Sequence, residues 1–324
     1  MKALTMIKKL LWVAALTLCA WNTQAQDYPH KMLTLVTPFP PGGTTDAVAR
    51  PLALQLQKRW KQTVIVENKG GAGGSLGTGV VARAPADGYT ALLVFDTHAV
   101  NPLIYKKLSF DTFADFKGVS QIVSMPMLLV AHPSLSAKSI KELVALAKAD
   151  PGGLSYASAG AGSSNQLAME LFTRAAGIKM THVPYRGGGP AISDLLAGHV
   201  PMIAVSQPLV LEHVRAGKLK ALAVMGKTRS AAMPDLPTMA EQGYPDIDVS
   251  SWIGMLVPAA TPEVVVKRLH LEVVKATQSK EFQDQMNGAG FMIKTSLPTE
   301  FDAFIKGEYE RWKPVVRDLK IVVD

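Results

Sequence analysis

The fold is decided by one stretch near the start of the chain, Leu33-Thr34-Leu35-Val36-Thr37-Pro38-Phe39-Pro40-Pro41-Gly42-Gly43-Thr44-Thr45-Asp46. Its first five residues form the short apolar segment typical of a β-strand. Prolines and glycines follow, and a helical pattern begins at about Asp46. The stretch therefore predicts a strand, a glycine-rich loop and a helix, which is the repeating unit of an α/β protein.

The same unit recurs along the chain as an apolar strand, a loop of small residues and a helix. Further strands of this kind are predicted at 63–66, 91–95, 154–157, 202–205 and 219–224. Alternating strands and helices indicate parallel-rich sheets flanked by helices, and continuous apolar strands indicate burial on both faces. Ligands of such sheets bind beyond the carboxyl ends of the strands, where these loops lie.

Two apolar stretches lack a glycine-rich loop after them, at 119–131 and 251–257. We interpret them as two crossings between two lobes. Lobe 1 is then discontinuous, formed by residues 27–122 plus 250–324, and lobe 2 is the inserted block 123–249. A cleft between two such lobes is a usual place for a small-molecule site.

Residues 1–25 are predicted to be a signal peptide. Three lysines precede an apolar run from Leu10 to Trp21, and Ala25 ends a stretch with small residues at the positions that signal peptidase reads. The run is shorter than the roughly 18 apolar residues that a membrane span needs. We therefore expect export to the periplasm and cleavage after Ala25. An N-terminal membrane anchor and a lipid-modified Cys19 are the alternatives.

The composition is that of a globular protein, with 48% hydrophobic and 19% charged residues among 324. Cleavage would lower the net charge from +8 to +5 and remove Cys19, the single cysteine. The mature chain would then have no disulfide and no thiolate metal site. The sequence contains no basic cluster with interleaved aromatic residues, so we do not expect it to bind nucleic acid. A modest positive charge favours an anionic ligand.

The loop after the first strand is the strongest candidate site. Its two glycines allow the backbone to approach a ligand, and Thr44 or Thr45 is expected to cap the helix. The free amides of the first helical turn favour an anion. Pro51 should cost a hydrogen bond inside this helix, so a kink or a later helix start is expected. The residues assigned to the site here are Phe39, Pro40, Gly42, Gly43, Thr44, Thr45 and Asp46.

Asp46 changes the expected chemistry of this loop. A carboxylate in the first turn stabilises a helix, but it would repel a ligand carboxylate in direct contact. We therefore expect either a bridging water or a hydrogen bond from a ligand hydroxyl or amine to Asp46.

Three further loops carry candidate binding residues. Residues 158–165 repeat the glycine-rich pattern, with Ser163 or Ser164 as the helix cap, and we interpret this loop as the more direct anion site. Residues 184–189 add an aromatic ring and a cation, although Arg186 is equally well explained as a surface charge. The candidates in these loops, in the 96–102 loop and after strand 202–205 are Ser158, Ala159, Gly160, Ser163, Ser164, Pro184, Tyr185, Arg186, His98, Asn101 and Ser206.

An enzymatic alternative rests on Gly73-Gly74-Ser75-Leu76-Gly77, which matches the G-x-S-x-G pattern of a hydrolase nucleophile. That nucleophile requires a strand running directly into the serine, whereas residues 68–72 are predicted to form a loop. A serine hydrolase using Ser75 and His270 remains the alternative. Neither a G-x-G-x-x-G nor an H-E-x-x-H motif is present, so we expect no cofactor and no metal.

Four segments resemble the signatures of the Bug-type, or tripartite tricarboxylate transporter, substrate-binding receptors: 36–46, 66–74, 156–160 and 182–188. The resemblance covers the whole mature chain in order and spacing. It implies a two-lobed, periplasmic-binding-protein-like fold of type II that binds a small carboxylate in the cleft. In this family the ligand is often held through ordered waters by the loop that here comprises Pro40 to Asp46. A membrane permease is the implied partner, and we expect a monomer.

The sequence departs from the family pattern at two positions. Gln166 stands where members commonly carry histidine, and Val205 stands where many carry aspartate at the end of a strand. Loss of that acid weakens the case for a ligand ammonium group and predicts a less polar wall. We therefore expect a carboxylic acid without an amino group. Because receptors and sensors share one fold, presentation of the ligand to a sensor kinase is a further alternative.

The substitution Asp46→Ala tests the first loop. We expect the thermal shift produced by carboxylic acids to fall, while the melting temperature of the ligand-free protein stays the same. A ligand at about 100 times its dissociation constant should add roughly 2.7 kcal/mol of stability, which a melting curve detects. Strong stabilisation by aspartate or glutamate, with none by simple organic acids, would contradict the expected ligand class.

Overall fold

The computed structural model describes residues 28–322. The predicted signal peptide, with Cys19, lies outside these residues. The chain forms an α/β fold in which helices flank a mixed sheet. None of the helices within residues 28–322 combines the length and the apolar character that a bilayer-spanning helix requires.

Every predicted strand is present, with ends shifted by a few residues. The strands are β1 (Leu33–Thr37), β2 (Val64–Asn68), β3 (Thr90–Phe95), β4 (Phe116–Ala131), β5 (Ser155–Ser158), β6 (Thr181–Pro184), β7 (Met202–Ser206), β8 (Lys220–Val224), β9 (Ser250–Pro258) and β10 (Met292–Ile293). The helices are α1 (Thr44–Trp60), α2 (Ser75–Ala82), α3 (Thr97–Ile104), α4 (Ile140–Ala149), α5 (Ser164–Ala176), α6 (Gly188–Leu196), α7 (Leu211–Arg215), α8 (Glu263–Thr277), α9 (Lys280–Gly288) and α10 (Pro298–Leu319).

The sheet has two halves that share the long strand β4. In the half called lobe 1 below, β2, β1 and β3 run parallel, and β3 pairs with β9 in the antiparallel sense. In the half called lobe 2, β7, β5 and β6 run parallel. The strands that alternate with helices are thus parallel, as expected, while the predicted crossings β4 and β9 pair antiparallel to each other.

The strand order turns the carboxyl ends of the two lobes towards each other. At the end of β3, Phe95 lies opposite Ile253 of β9, and the start of β9 pairs with β4 as far as Pro126. From the next residue, Met127, β4 pairs instead with Ser206, the last residue of β7. The carboxyl ends of β3 and β7 therefore point towards each other along β4, at Val123 and Met127, and the loops that follow them face one another.

Helix α10 contacts both lobes. Phe301 and Ile305 are buried in an apolar cluster with residues of β3 and β9. Two turns later, Trp312 and Val316 are buried in a cluster with Tyr156 and other residues of lobe 2. Helix α10 is thus packed against the cores of both lobes. The domain limits given above, which assign this helix to lobe 1, stay a prediction.

The start of α1 differs from the expectation. The helix begins at Thr44 and continues through Pro51 to Trp60, so the later helix start is wrong. The N-cap residue is Gly43, and no side chain caps the helix, so the expected cap at Thr44 or Thr45 is also wrong. Both threonines already have helical geometry, which prevents their side chains from reaching back to the amides of the first turn.

Gly254 of β9 provides a test of this packing. A Cβ atom at this position would overlap the ring of Phe301, which is fully buried. We expect Gly254→Ala to lower the free energy of unfolding by about 1–3 kcal/mol, because ring or strand must shift. Urea denaturation measures this loss.

Gly307→Ala on α10 is the matched control, because a Cβ there meets no atom within 4 Å. It should be neutral or add up to about 1 kcal/mol through helix propensity. Equal effects of the two substitutions would contradict the packing described for Gly254.

Candidate functional site

The loop after β1 is held by the side chain of Asp46, which is 5% exposed. Its Oδ2 accepts hydrogen bonds from the Gly42 amide at 3.0 Å and from Arg50 Nε at 2.8 Å. Its Oδ1 accepts a hydrogen bond from Asn68 Nδ2 at 3.0 Å. Both oxygens thus have protein partners, and the carboxylate braces the loop from behind.

These contacts fix the charge of Asp46. Burial alone would raise the pKa of this carboxyl, but the hydrogen bonds from Arg50, Gly42 and Asn68 outweigh burial and hold the pKa below its ordinary value. The carboxylate is therefore ionised and paired with the guanidinium of Arg50 at 2.8 Å. Repulsion of a ligand carboxylate, expected from the sequence, is offset by this cation.

Asn68 is a site residue that the sequence analysis did not identify. Its Nδ2 lies 2.6 Å from Thr37 Oγ1, 3.1 Å from the Phe39 carbonyl and 3.0 Å from Asp46 Oδ1. One amide thus connects the end of β1, the loop and α1. The residue belongs to a segment that resembled a family signature, but its partners depend on the pairing of β1 with β2.

The uncapped start of α1 leaves amides available. The first helical bond runs from the Ala47 amide to the Gly43 carbonyl at 3.0 Å. The amides of Thr44, Thr45 and Asp46 have no acceptor within residues 28–322. Three such amides at the positive end of a 17-residue helix form an anion-binding arrangement.

The loop after β5 has a capped helix, as predicted. Ser163 Oγ accepts a hydrogen bond from the Gln166 amide at 3.5 Å and donates to the Gly160 carbonyl at 2.6 Å. Gln166 Oε1 accepts the Gly162 amide at 2.8 Å, so this departure from the family pattern stabilises the loop. In the described part of the chain, the amides of Ser164 and Asn165 have no acceptor.

Ser158 ends β5 and is fully buried. Its Oγ lies 2.6 Å from His182 Nε2 and accepts the Gly160 amide at 3.1 Å. The hydroxyl is therefore used within lobe 2. Ala159 and Gly160, which follow it, are partly exposed and contribute backbone to the loop surface.

The loop after β6 lies against this backbone. The Gly187 amide donates to the Ala159 carbonyl at 3.1 Å. Tyr185 donates its hydroxyl to Asp194 at 2.8 Å, which fixes the ring, and Pro184 is exposed. Arg186 is exposed and forms no ion pair with any residue of the described chain. Its charge is therefore available in the loop that lies against Ala159.

His98 and Asn101 lie inside the protein. The His98 ring stacks on Phe110 at 6.2 Å and meets Phe116 edge-on at 5.4 Å. Burial lowers the pKa of His98 to about 4, so the ring is neutral at pH 7. Asn101 donates to the Gly73 carbonyl at 3.0 Å. Both are buried in this conformation, where they pack α3 against its neighbours rather than lining an open wall.

Ser206 and Val205 also take structural positions. Ser206 is buried and its hydroxyl donates to Ser251 Oγ at 3.2 Å, which links β7 to β9. Val205 belongs to an apolar cluster of lobe 2 with Leu128 and Ile203. The interpretation of Val205 as a less polar wall is therefore wrong, because its side chain is part of a core.

Asp96 is a second residue that the sequence analysis did not identify. It follows β3 directly, is 5% exposed, and neither of its oxygens has a hydrogen-bond partner in residues 28–322. Its position immediately after an apolar strand could have identified it as a candidate from the sequence. Its environment between the lobes, however, depends on contacts distant along the chain.

The hydrolase interpretation finds no support in the geometry. Ser75 starts α2 and is separated from β2 by a loop and a 3-10 turn at 72–74, as expected. His270 Nδ1 is hydrogen-bonded to the Val119 carbonyl at 3.0 Å. The surface cavity of about 430 Å³ beside Ser75 has no histidine or acid in its lining, which consists of Ala72, Ser75, Leu76, Tyr105, Lys106, Lys107, Leu108 and Ser109.

No group of histidine, cysteine and acidic residues in the described chain is arranged to hold a metal ion. The candidate chemistry is that of backbone amides at two helix starts, together with the guanidinium of Arg186 in the loop packed against Ala159. Such a site suits a ligand with negatively charged oxygens.

Comparisons with known proteins agree with this description. The chain is 38% identical over 296 residues to Protein BugT of Bordetella pertussis, covering 91% of each protein. Its fold is similar to that of Rpa4515 from R. palustris with adipate, with a TM-score of 0.86, 32% identity, and coverage of 90% of this chain and 98% of that one. It is also similar to MatC from Rhodopseudomonas palustris with bound malate, with a TM-score of 0.83, 31% identity, and coverage of 89% and 100%.

The family model described as the tripartite tricarboxylate transporter family receptor matches residues 48–321. This match includes most of α1, all of α10 and every described strand except β1. Together with the whole-length similarity to BugT, it confirms the resemblance and the two-lobed fold inferred from the sequence. The chain belongs to the tripartite tricarboxylate transporter receptor family.

Proposed function

We propose that this protein is an exported periplasmic receptor that captures a small dicarboxylate in the cleft between its lobes. The observation that carries the proposal is the pair of helix starts, α1 and α5, each with free amides and each following the carboxyl end of a parallel strand, β1 in lobe 1 and β5 in lobe 2. One carboxylate at each helix start would use both sets of amides.

The first carboxylate is assigned to α1. The amides of Thr44, Thr45 and Asp46 supply donors and the positive end of the helix dipole. Asp46 acts as a brace for this loop, with its charge balanced by Arg50. Water between the amides and the ligand is compatible with this arrangement, because an ordered water transmits a hydrogen bond at little cost.

The second carboxylate is assigned to lobe 2. The amides of Ser164 and Asn165 and the exposed guanidinium of Arg186 are its proposed donors. The similar proteins with adipate and malate both carry diacids, which supports two acid positions in this chain as well. A ligand without an amino group fits the start of α1 because Asp46, the acid there, is already paired with Arg50.

Delivery to a membrane permease is the proposed role, since the family is that of transporter receptors. The predicted signal peptide supports export. Presentation of the same ligand to a sensor kinase would use the same fold, and co-purification with a permease or a kinase distinguishes the two roles.

Arg186→Ala is the first test. Isothermal titration with adipate and malate should show binding that weakens about tenfold to a hundredfold in the variant, because a charge-assisted hydrogen bond contributes about 1.5–3 kcal/mol. Arg215→Ala is the control, since Arg215 is exposed on the same lobe and paired with Glu212 at 2.7 Å. Equal weakening by both substitutions would contradict the assignment of Arg186. The proposed ligand class would be contradicted if acetate, or the amino diacid aspartate, bound as tightly as adipate and malate.

Asp46→Ala is the second test, and the structure changes its expected result. Because three hydrogen bonds are lost, the ligand-free protein should lose about 1–3 kcal/mol of unfolding free energy in addition to ligand affinity. The lowered pKa of Asp46 means that this stabilisation is present above the ordinary aspartate pKa. It disappears as the pH falls through the folded-state value.

The difference between wild type and Asp46→Ala should therefore be full at pH 7 and should shrink at pH 3, as measured by urea denaturation. Asp246→Ala, which changes an exposed acid, is the control and should have no such effect. A ligand-free protein whose stability is unchanged by Asp46→Ala would show that the carboxylate does not brace the loop.

A further inference from the structure

Asp96 lies where the two lobes meet. It follows β3 in lobe 1, and the hydroxyls that approach it are those of Ser251 on β9 and Ser164, the first residue of α5 in lobe 2. The lobes are in contact here, since Val100 and Ile104 of α3 are buried in an apolar cluster of lobe 2. A Cβ at Gly162 would overlap the Ile104 side chain.

The carboxyl of Asp96 is buried, and no cation within residues 28–322 is paired with it. Both oxygens are shielded from solvent and lack a partner within the described chain. The nearby charged group is Glu308 of α10, which is paired with Arg311 at 3.0 Å. On α3 itself, His98 is neutral and enclosed by two phenylalanine rings. The elements β9 and α5 present hydroxyls to Asp96 and no charge.

This environment favours the protonated acid. Burial raises the pKa of Asp96 to about 7. The charge of Glu308 raises it further, whereas the hydroxyls of Ser251 and Ser164 and the amide of Thr97 act in the opposite direction. An ionised carboxylate without a cation or sufficient hydrogen bonds is expensive in such a place. If the lobes separate, Ser164 leaves with lobe 2 and water reaches the carboxyl, which then regains an ordinary pKa of roughly 3.9.

We infer that closure of the two lobes takes up a proton at Asp96, so that a lower pH outside the cell favours the closed receptor. For ligand capture this inference rests on the proposed function, whereas for closure itself it rests on the two-lobed fold. Asp96 is a positioning residue in this scheme. It controls whether α5 of lobe 2 can approach lobe 1, and it does not contact the ligand.

The sign and size of the effect follow from the two protonation states. Because the closed state holds the proton more tightly, its advantage is complete below the open-state pKa and is lost as the pH rises through the closed-state value. With a closed-state pKa near 7, raising the pH from 6 to 8 should weaken closure by about tenfold. Above that range both states are ionised and the pH dependence ends.

Small-angle scattering of the ligand-free protein tests closure directly. Wild type should shift towards a larger radius of gyration between pH 6 and pH 8, whereas Asp96→Asn should keep the same radius throughout. Asp302→Asn is the matched control, because Asp302 accepts the Gly118 amide at 2.7 Å within lobe 1 and should retain the wild-type response. A radius that does not change with pH in wild type, or that changes equally in Asp96→Asn, would overturn the inference.

Calorimetric titration with adipate, in two buffers of different ionisation enthalpy, counts the protons taken up on binding. Wild type should take up a proton at pH 6 in proportion to the fraction of ligand-free molecules that are open, and almost none at pH 8, with affinity falling by up to about tenfold over that range. Asp96→Asn should bind with no linked proton. Binding without proton uptake in wild type would overturn the inference even if the variant failed to fold. Adipate and malate that do not bind at any pH, together with the expected scattering, would refute the proposed ligand and leave proton-coupled closure supported.

Discussion

The antiparallel pairing of β4 with β9 is the constraint on which the rest of the structure depends. One strand of 16 residues serves two half-sheets, and its partner changes between Pro126 and Met127. Proline lacks an amide hydrogen and is tolerated where a hydrogen-bond ladder ends, so its position suits this change of partner. Because β3 and β7 run towards each other along β4, backbone pairing alone makes the loops that follow them face one another.

In the proposed site, positive charge is provided mainly by the backbone. The acid in the first loop is already compensated by Arg50 and Asn68, so the helix start is the dominant positive feature there. Amides recognise the carboxylate group and leave the remainder of the ligand to be selected by the walls. This agrees with a family in which similar folds are found with molecules as different as adipate and malate.

The sequence predicted the parts of the structure that depend on local pattern. The strands, the glycine-rich loops and the Ser163 cap are encoded within a few residues, and periodicity or cap chemistry reveals them. The cap of α1 was predicted incorrectly because the helix begins at Thr44, so that the N-cap position is Gly43, one residue before the first of the two threonines. Local pattern alone does not determine a boundary to that accuracy.

Side-chain environments were harder to predict because they depend on distant contacts. His98 is a core residue because Phe110 and Phe116 enclose it, and Val205 is one because of the sheet face on which it lies. Asn68 contacts Asp46 because β1 and β2 are paired, and Asp96 is buried beside Ser164 because α5 reaches lobe 1. A polar residue at the end of a strand indicates a site, but its partners are supplied by the tertiary fold.

The missing cap at Gly43 has a consequence for how this receptor can evolve. A serine or asparagine at such a position typically adds a few tenths of a kcal/mol compared with glycine, so selection for heat resistance alone would favour one. That side chain would occupy the amides assigned to the ligand. A receptor that is more stable without ligand would therefore bind the proposed ligand more weakly. With glycine at this position, part of the stability of the protein is supplied by the ligand when it binds.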